Sequence, residues 1–267
     1  MTITNDTNPF YDAIAQYYTL FYRDWETQME REGLGLRSIF RQQNVTTILD
    51  ASCGAGAQTI PLAQLGYQMT AADPSSGMLG RAFKMAEEYG VVEQIRFVQA
   101  DFLSLPSVVS PMFDAVITKG NALPHLILDT EIETALQIFY QLLRPGGFLV
   151  IGMRDFAPFM EDRPRFIPGF IHELDNDREF ITFDTWEWED GPPVMATQNL
   201  FIVQGKGANY QALKREVIYR PLSTDEVKVV LLETGFENLT DQPDRTERVL
   251  VARKPEKARQ YKFPFRK

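Results

Sequence analysis

Two stretches of this 267-residue chain carry residue types and spacings that can do chemistry. The first is Asp50-Ala-Ser-Cys-Gly-Ala-Gly56, which follows the β-branched run Val45-Thr-Thr-Ile-Leu49. A strand that ends in a glycine turn and opens a helix gathers backbone N–H groups and the positive end of the helix at one spot, the device that holds phosphates and adenosine. The second is Asp73, 19 residues after Gly54, closing the strand-like run Tyr67-Gln-Met-Thr-Ala-Ala72. A carboxylate there accepts from both hydroxyls of a ribose. The third glycine of a dinucleotide fingerprint would fall on Thr59, which argues against a nicotinamide cofactor. No Lys-Ser/Thr pair follows, so the turn is not a nucleotide-triphosphate loop. Cys53 sits inside the turn with no histidine near it in sequence, and reads as small-residue packing rather than a nucleophile.

These residues need a scaffold, and the hydrophobic pattern supplies one. Apolar residues recur three and four apart from Phe10 to Tyr22 and again from Leu34 to Phe40, as in helices. Strand-like runs at 45–50, 67–72, 95–100, 113–118 and 148–151 then alternate with helical ones, the last over 129–143, with Arg144-Pro-Gly-Gly147 as a turn. Such alternation means a parallel sheet covered by helices on both faces. Residues 156–220 break the rhythm, with strands expected at 180–189, 199–203 and 213–219. A helix at 224–234 and two closing strands over 236–252 follow. The expected fold is therefore α/β: a Rossmann-like, seven-stranded, mostly parallel sheet plus an inserted antiparallel β meander. The expected parts are an N-terminal helical lid (1–44), the core (45–155 and 221–254), a substrate cap (156–220) and a basic tail (255–267).

The totals narrow the function. A formal charge of −9 and a pI near 4.9 disfavour nucleic-acid binding, which relies on a basic face. One cysteine excludes a disulfide framework, points to a reducing compartment and, with no histidine or acidic cluster at ligand spacing, leaves no metal site. Met1 to Pro9 lacks the pattern of a signal peptide, and no apolar run has the length of a membrane helix, so a cytoplasmic location is expected.

Five segments resemble, in order and spacing, those of the class I S-adenosylmethionine-dependent methyltransferases: Leu49–Gly56, Ala72–Leu79, Ala100-Asp101-Phe102, Phe113–Val116 and Leu143–Gly147. The resemblance covers residues 45–152. It implies S-adenosyl-L-methionine as cofactor and S-adenosyl-L-homocysteine as product. It places Asp50, Ser52, Cys53, Gly54 and Gly56 around the methionine part, Asp73 on the ribose with Pro74 and Met78 beside it, Asp101 and Phe102 near the adenine, and Lys119 among the cofactor contacts. Ser52 departs from the alanine or glycine of many relatives, and a small residue still fits.

Thr118-Lys-Gly-Asn-Ala-Leu-Pro-His-Leu126 and Ile151-Gly-Met-Arg-Asp-Phe156 further resemble the glycine and sarcosine N-methyltransferases. That resemblance implies a substrate carboxylate held by Asn121 and Arg154, whose planar fork matches a carboxylate, with Tyr219 reaching the same pocket. It implies a lid lined by Tyr11, Tyr18, Tyr22 and Trp25, and leaves Arg23 as a candidate for the cofactor carboxylate. His125 reads as a brace of its loop. Trp186 and Trp188, on one strand face, read as meander core or an oligomer contact rather than a site. The implied reaction is direct methyl transfer to a small-molecule amine, with a sugar-amine or other N/O-methyltransferase and a non-catalytic cofactor-binding regulator as alternatives. A homo-oligomer is left open.

Overall fold

The computed structural model describes residues 5–41, 43–245 and 247–256. The expected basic tail lies, from residue 257 onward, outside the described residues.

Five parallel strands form the centre of the main sheet: β1 (Thr47–Asp50), β2 (Gln68–Asp73), β3 (Ile95–Gln99), β4 (Phe113–Thr118) and β5 (Leu143–Arg154). A closing hairpin, β10 (Glu237–Asp244) and β11 (Glu247–Arg253), adds two more, with β11 antiparallel to β5. The order is β10-β11-β5-β4-β1-β2-β3. The chain reverses its direction of travel across the sheet beside β1, which is where an open α/β sheet opens a crevice at its carboxyl edge. Asp50 pairs with Ala71 and Ile117, so the ends of β1, β2 and β4 are level at that edge.

Helices cover both faces. On one side α2 (Trp25–Phe40), α3 (Thr59–Gln64) and α4 (Ser76–Glu88) bury Met29, Leu36, Phe40, Ile60, Leu62 and Met85 against the sheet. On the other, α5 (Leu105–Val108), α6 (Asp129–Leu142) and α8 (Thr224–Thr234) bury Leu105, Leu136, Phe139 and Leu231. The amphipathic spacing of α6 is what aims Ile132, Leu136 and Phe139 inward. A Ser223–Glu226 capping box starts α8 and left-handed Gly235 ends it.

The insertion is larger than the pattern indicates. It opens with α7 (Phe156–Asp162) and continues as a four-stranded antiparallel sheet, β6 (Phe166–Leu174), β7 (Arg178–Glu189), β8 (Met195–Lys206) and β9 (Asn209–Tyr219). β6 escapes a sequence reading because Pro168 and Gly169 interrupt its alternation, and proline is tolerated only at an edge, where β6 sits. The Arg144–Gly147 turn is instead absorbed into β5, where a register shift opposite Phe113 and Ala115 accommodates it. A third core joins the insertion to the N-terminus. Phe10 and Ile14 of α1 (Asn8–Ile14) and the following 3-10 turn (Ala15–Phe21) pack on Phe156, Phe180 and Trp186. The N-terminal segment therefore lies between the two sheets. Among the described residues no helix is long and apolar enough to cross a membrane.

Candidate functional site

A cavity of about 410 Å³ opens at the carboxyl edge of the main sheet, a volume in the range of cofactor sites. The glycine turn forms one wall. Gly54 has φ +52° and donates its N–H to Asp73 Oδ2 at 2.9 Å. Gly56 has φ +93°, where any side chain is strained, and a Cβ on it would also push the Ile60 Cδ1 methyl, 2.7 Å away, aside. Ser52, Cys53, Gly54, Asp73, Pro74 and Met78 line the cavity at this end, and Asp101 and Phe102 at another. The Asp101 carboxylate also accepts from Ser104 N at 2.7 Å, which holds the loop after β3.

Asp73 accepts from Gly54 N and, through Oδ1, from Ser75 N at 3.0 Å. Burial raises its pKa to about 6, against the two N–H donors that lower it. Asp50 lies behind the turn, fully buried, where it accepts from Thr59 Oγ1 at 2.6 Å. Burial lifts its pKa to about 7. It braces the turn and is not part of the cavity wall; the same holds for Gly56. Cys53 is buried and its thiol is pushed well above its ordinary value by burial and by Asp73 and Asp50, the opposite of an activated nucleophile.

The raised values have a sign. Between about pH 4 and 7 the folded protein binds more protons at Asp50 than the unfolded chain does, so this group's contribution to stability falls as pH rises through that window. Asp50→Asn is expected to flatten that part of the profile of urea midpoint against pH. A variant profile parallel to the wild type across the window would refute the assignment.

The N-terminal segment forms the roof. Tyr11, Tyr18 and Tyr22 line the cavity. The Tyr18 hydroxyl stands 3.9 Å from where a Cβ on Gly54 would lie. Trp25 instead packs edge-on against Tyr18 and Tyr22 in the core, and Arg23 is exposed. Asp12 fastens α1 to the start of α4, accepting from Ser75 Oγ at 2.6 Å and Gly77 N at 2.8 Å. A lone exposed aspartate in an amphipathic stretch gives no sequence signal of this.

Asn121, Arg154 and Tyr219 meet beyond the roof. Asn121, in the left-handed region at φ +68°, accepts through Oδ1 from the Arg154 backbone N–H at 3.1 Å. The His125 ring nitrogen Nδ1 faces the Ile218 carbonyl at 3.1 Å. A carbonyl only accepts, so Nδ1 carries the proton and Nε2 accepts from the Tyr11 hydroxyl at 2.7 Å. Tyr219 interacts with the Tyr11 hydroxyl and with the Asn121 amide. Burial depresses the pKa of His125 to about 4, so the ring is neutral at pH 7. His125 and Tyr219 are also stacked, with centroids 4.4 Å apart.

The Arg154 guanidinium lies over the rings of Phe159 (4.8 Å) and Trp186 (5.2 Å), and its buried Nη1 has no partner. Trp186, expected as meander core or an oligomer contact, lies in the core that joins the insertion to the N-terminus, beneath this guanidinium. Lys119 lines the cavity, but its ammonium is engaged by Glu32 at 2.6 Å, Glu247 at 3.5 Å and Asp244 at 3.8 Å. Burial alone would lower its pKa; Glu32 and Glu247 more than offset that and raise it. Lys119 therefore ties α2 and the β10–β11 hairpin to the loop after β4. His172 sits beside Phe170 and Phe180 in the insertion, away from the cavity.

The chain's likenesses agree with this geometry. A methyltransferase-domain family model matches residues 48–147. A glycine/sarcosine N-methyltransferase of Halorhodospira halochloris is 31% identical over 138 residues, 52% of this chain and 51% of that protein. Here the chain spans about half the length of the curated relative it matches. A glycine/sarcosine N-methyltransferase of Aphanothece halophytica is 25% identical over 228 residues, 84% of this chain and 78% of that one. Among solved structures, the sugar N-methyltransferase KedS8 of a Streptoalloteichus species superposes with a TM-score of 0.70 at 18% identity, over 90% of this chain and 93% of its own. That last likeness is one of fold. Residues 48–147 thus match a methyltransferase domain on a Rossmann-like sheet, and the chain is similar in sequence to the glycine/sarcosine N-methyltransferases.

Proposed function

We propose that the protein methylates the amine of a small, carboxylate-bearing acceptor. The observation that carries this reading is Arg154, whose buried Nη1 lacks a partner at the end of β5. A guanidinium held between aromatic rings with an unused donor suits a carboxylate, which accepts from two of its N–H groups at once.

S-adenosylmethionine, when bound, supplies an electrophilic methyl group on its sulfonium. The residues present fit it. Asp73 stands ready for the ribose hydroxyls, the Cys53–Gly54 turn for the methionine part, and Phe102 with Asp101 for the adenine. Tyr18 and Tyr22 roof the cavity. Methyl transfer needs an in-line amine with a free lone pair and no covalent enzyme intermediate. Positioning of two reactants contributes up to about 7–11 kcal/mol. Arg154 and Asn121 fix the acceptor, and Tyr219 stacks on His125, which holds the Tyr11 hydroxyl. His125 is a weak proton acceptor: charging it at pH 7 against a pKa of about 4 costs roughly 4 kcal/mol. The amine's proton therefore leaves to solvent before transfer. In this reading the insertion is the acceptor's cap, and residues 5–24 are the lid.

Arg154→Ala is expected to raise the acceptor's KM at least about tenfold while leaving cofactor affinity, measured by calorimetry with S-adenosylhomocysteine, unchanged. Unchanged turnover of every carboxylate acceptor would remove the clamp. An amino sugar is the second reading, favoured by the flat faces of Tyr219 and Trp186, stacked 5.8 Å apart; its turnover would not respond to Arg154→Ala.

A further inference from the structure

Three buried side-chain atoms at the end of β5 and on β7 have no partner: Arg154 Nη1, Trp186 Nε1 and Asp184 Oδ1. They are neighbours. The guanidinium lies over the Trp186 ring, and Asp184 and Trp186 are alternate residues of β7, facing the same way. Asp184 feels the charge of Arg154, yet neither satisfies the other. Its second oxygen accepts from Gln198 on the adjacent strand. Two donors and one acceptor are thus left open side by side, in a core where unpaired polar groups are costly.

A carboxylate on Arg154 and the Trp186 N–H accounts for the donors and leaves Asp184 unexplained. A bare glycine brings a second negative charge beside Asp184, and its one donor group is the amine that must face the methyl. Asp184 is satisfied when the bound molecule itself donates to it. Burial raises the pKa of Asp184, which strengthens the need for a donor there.

We infer that the acceptor is an amino acid with a third polar group, a hydroxyl or second amine that donates to Asp184, rather than glycine or sarcosine. This rests on the amine-methylation reading above. Sites built to hydrogen-bond a substrate hydroxyl or amine reject the analogue lacking it far more strongly than apolar pockets reject a missing methylene.

The test uses the full chain with radiolabelled S-adenosylmethionine and four probes: glycine, sarcosine, serine and 2,4-diaminobutyrate. Binding of each probe to the S-adenosylhomocysteine-loaded protein is measured in parallel by calorimetry. The expected result is a kcat/KM for serine or diaminobutyrate about 100-fold above that of glycine. In Asp184→Asn and Asp184→Ala that preference collapses to within about tenfold, while glycine binding is unchanged or tighter, with thermal melting confirming that both variants fold. A preference for glycine or sarcosine, or a ranking that Asp184→Ala leaves intact, overturns the inference and leaves amine methylation standing. No binding and no turnover of any probe overturns both.

Discussion

Asp73→Ala is expected to weaken cofactor binding by about 2–4 kcal/mol, between roughly 30-fold and 1000-fold, because two hydroxyl donors to a charged acceptor are lost together. The same change should not destabilise the apo fold. Asp73 is a buried carboxylate with a pKa raised to about 6, so holding it ionised at pH 7 costs stability, and alanine relieves that cost. The Gly54 N–H it serves lines the cavity and can be solvated there, whereas the buried Ser75 N–H loses its acceptor, a cost that offsets part of that relief. Stability should therefore change far less than affinity, which a merely structural aspartate would not produce. Wild-type affinity for S-adenosylhomocysteine should also fall as pH is lowered through about 6, where the acceptor is protonated. Calorimetric titration across pH 5–8, beside urea melts of both proteins, reads all of this. A variant that binds within threefold of wild type would rule out Asp73 as the ribose ligand.

Lys119→Met is expected to cost about 3–5 kcal/mol of stability at pH 7–8, the usual result of removing one partner from a buried ion pair. Lys119 and Glu32 are 4% and 3% exposed at their side chains, so water cannot replace the lost ammonium. Glu247, 23% exposed, adds a second carboxylate to the uncompensated set. The loss should shrink as pH falls and Glu247, whose carboxyl burial holds above its ordinary value, takes up a proton, and shrink again in the Lys119→Met/Glu32→Gln double variant. Because the pair ties α2 to the loop after β4, the single variant should also expose the roof tyrosines to quenching before global unfolding. A loss below about 1 kcal/mol at pH 8 would mean that the cluster is solvated and does not fasten the segment.

Lys119 shows what position in the sequence leaves out. It sits one residue past a β4 end that faces the crevice, and position alone nominates it for the cofactor. Its charge is spent on residues 87 and 128 positions away in opposite directions along the chain. Asp50 is a related case: it ends the right strand, yet β1 is central and the last carboxylate on it is turned inward to Thr59.

The alternation of strands and helices, the glycine turn after β1 and the placement of Asp73 at the end of β2 were legible in the chain alone, because period, glycine placement and strand ends are local properties. So was the approach of Asn121 to Arg154, since adjacent strands β4 and β5 must deliver their ends together. The Asp12 fastening, the fixed His125 tautomer, the Glu32–Lys119 tie and the unpartnered set around Asp184 could not be read that way. Each joins segments far apart in sequence. None leaves a periodic trace, because a single polar residue at an inward position looks the same whether it is braced, paired or waiting for a ligand. Only packing the N-terminal segment between the two sheets decides which.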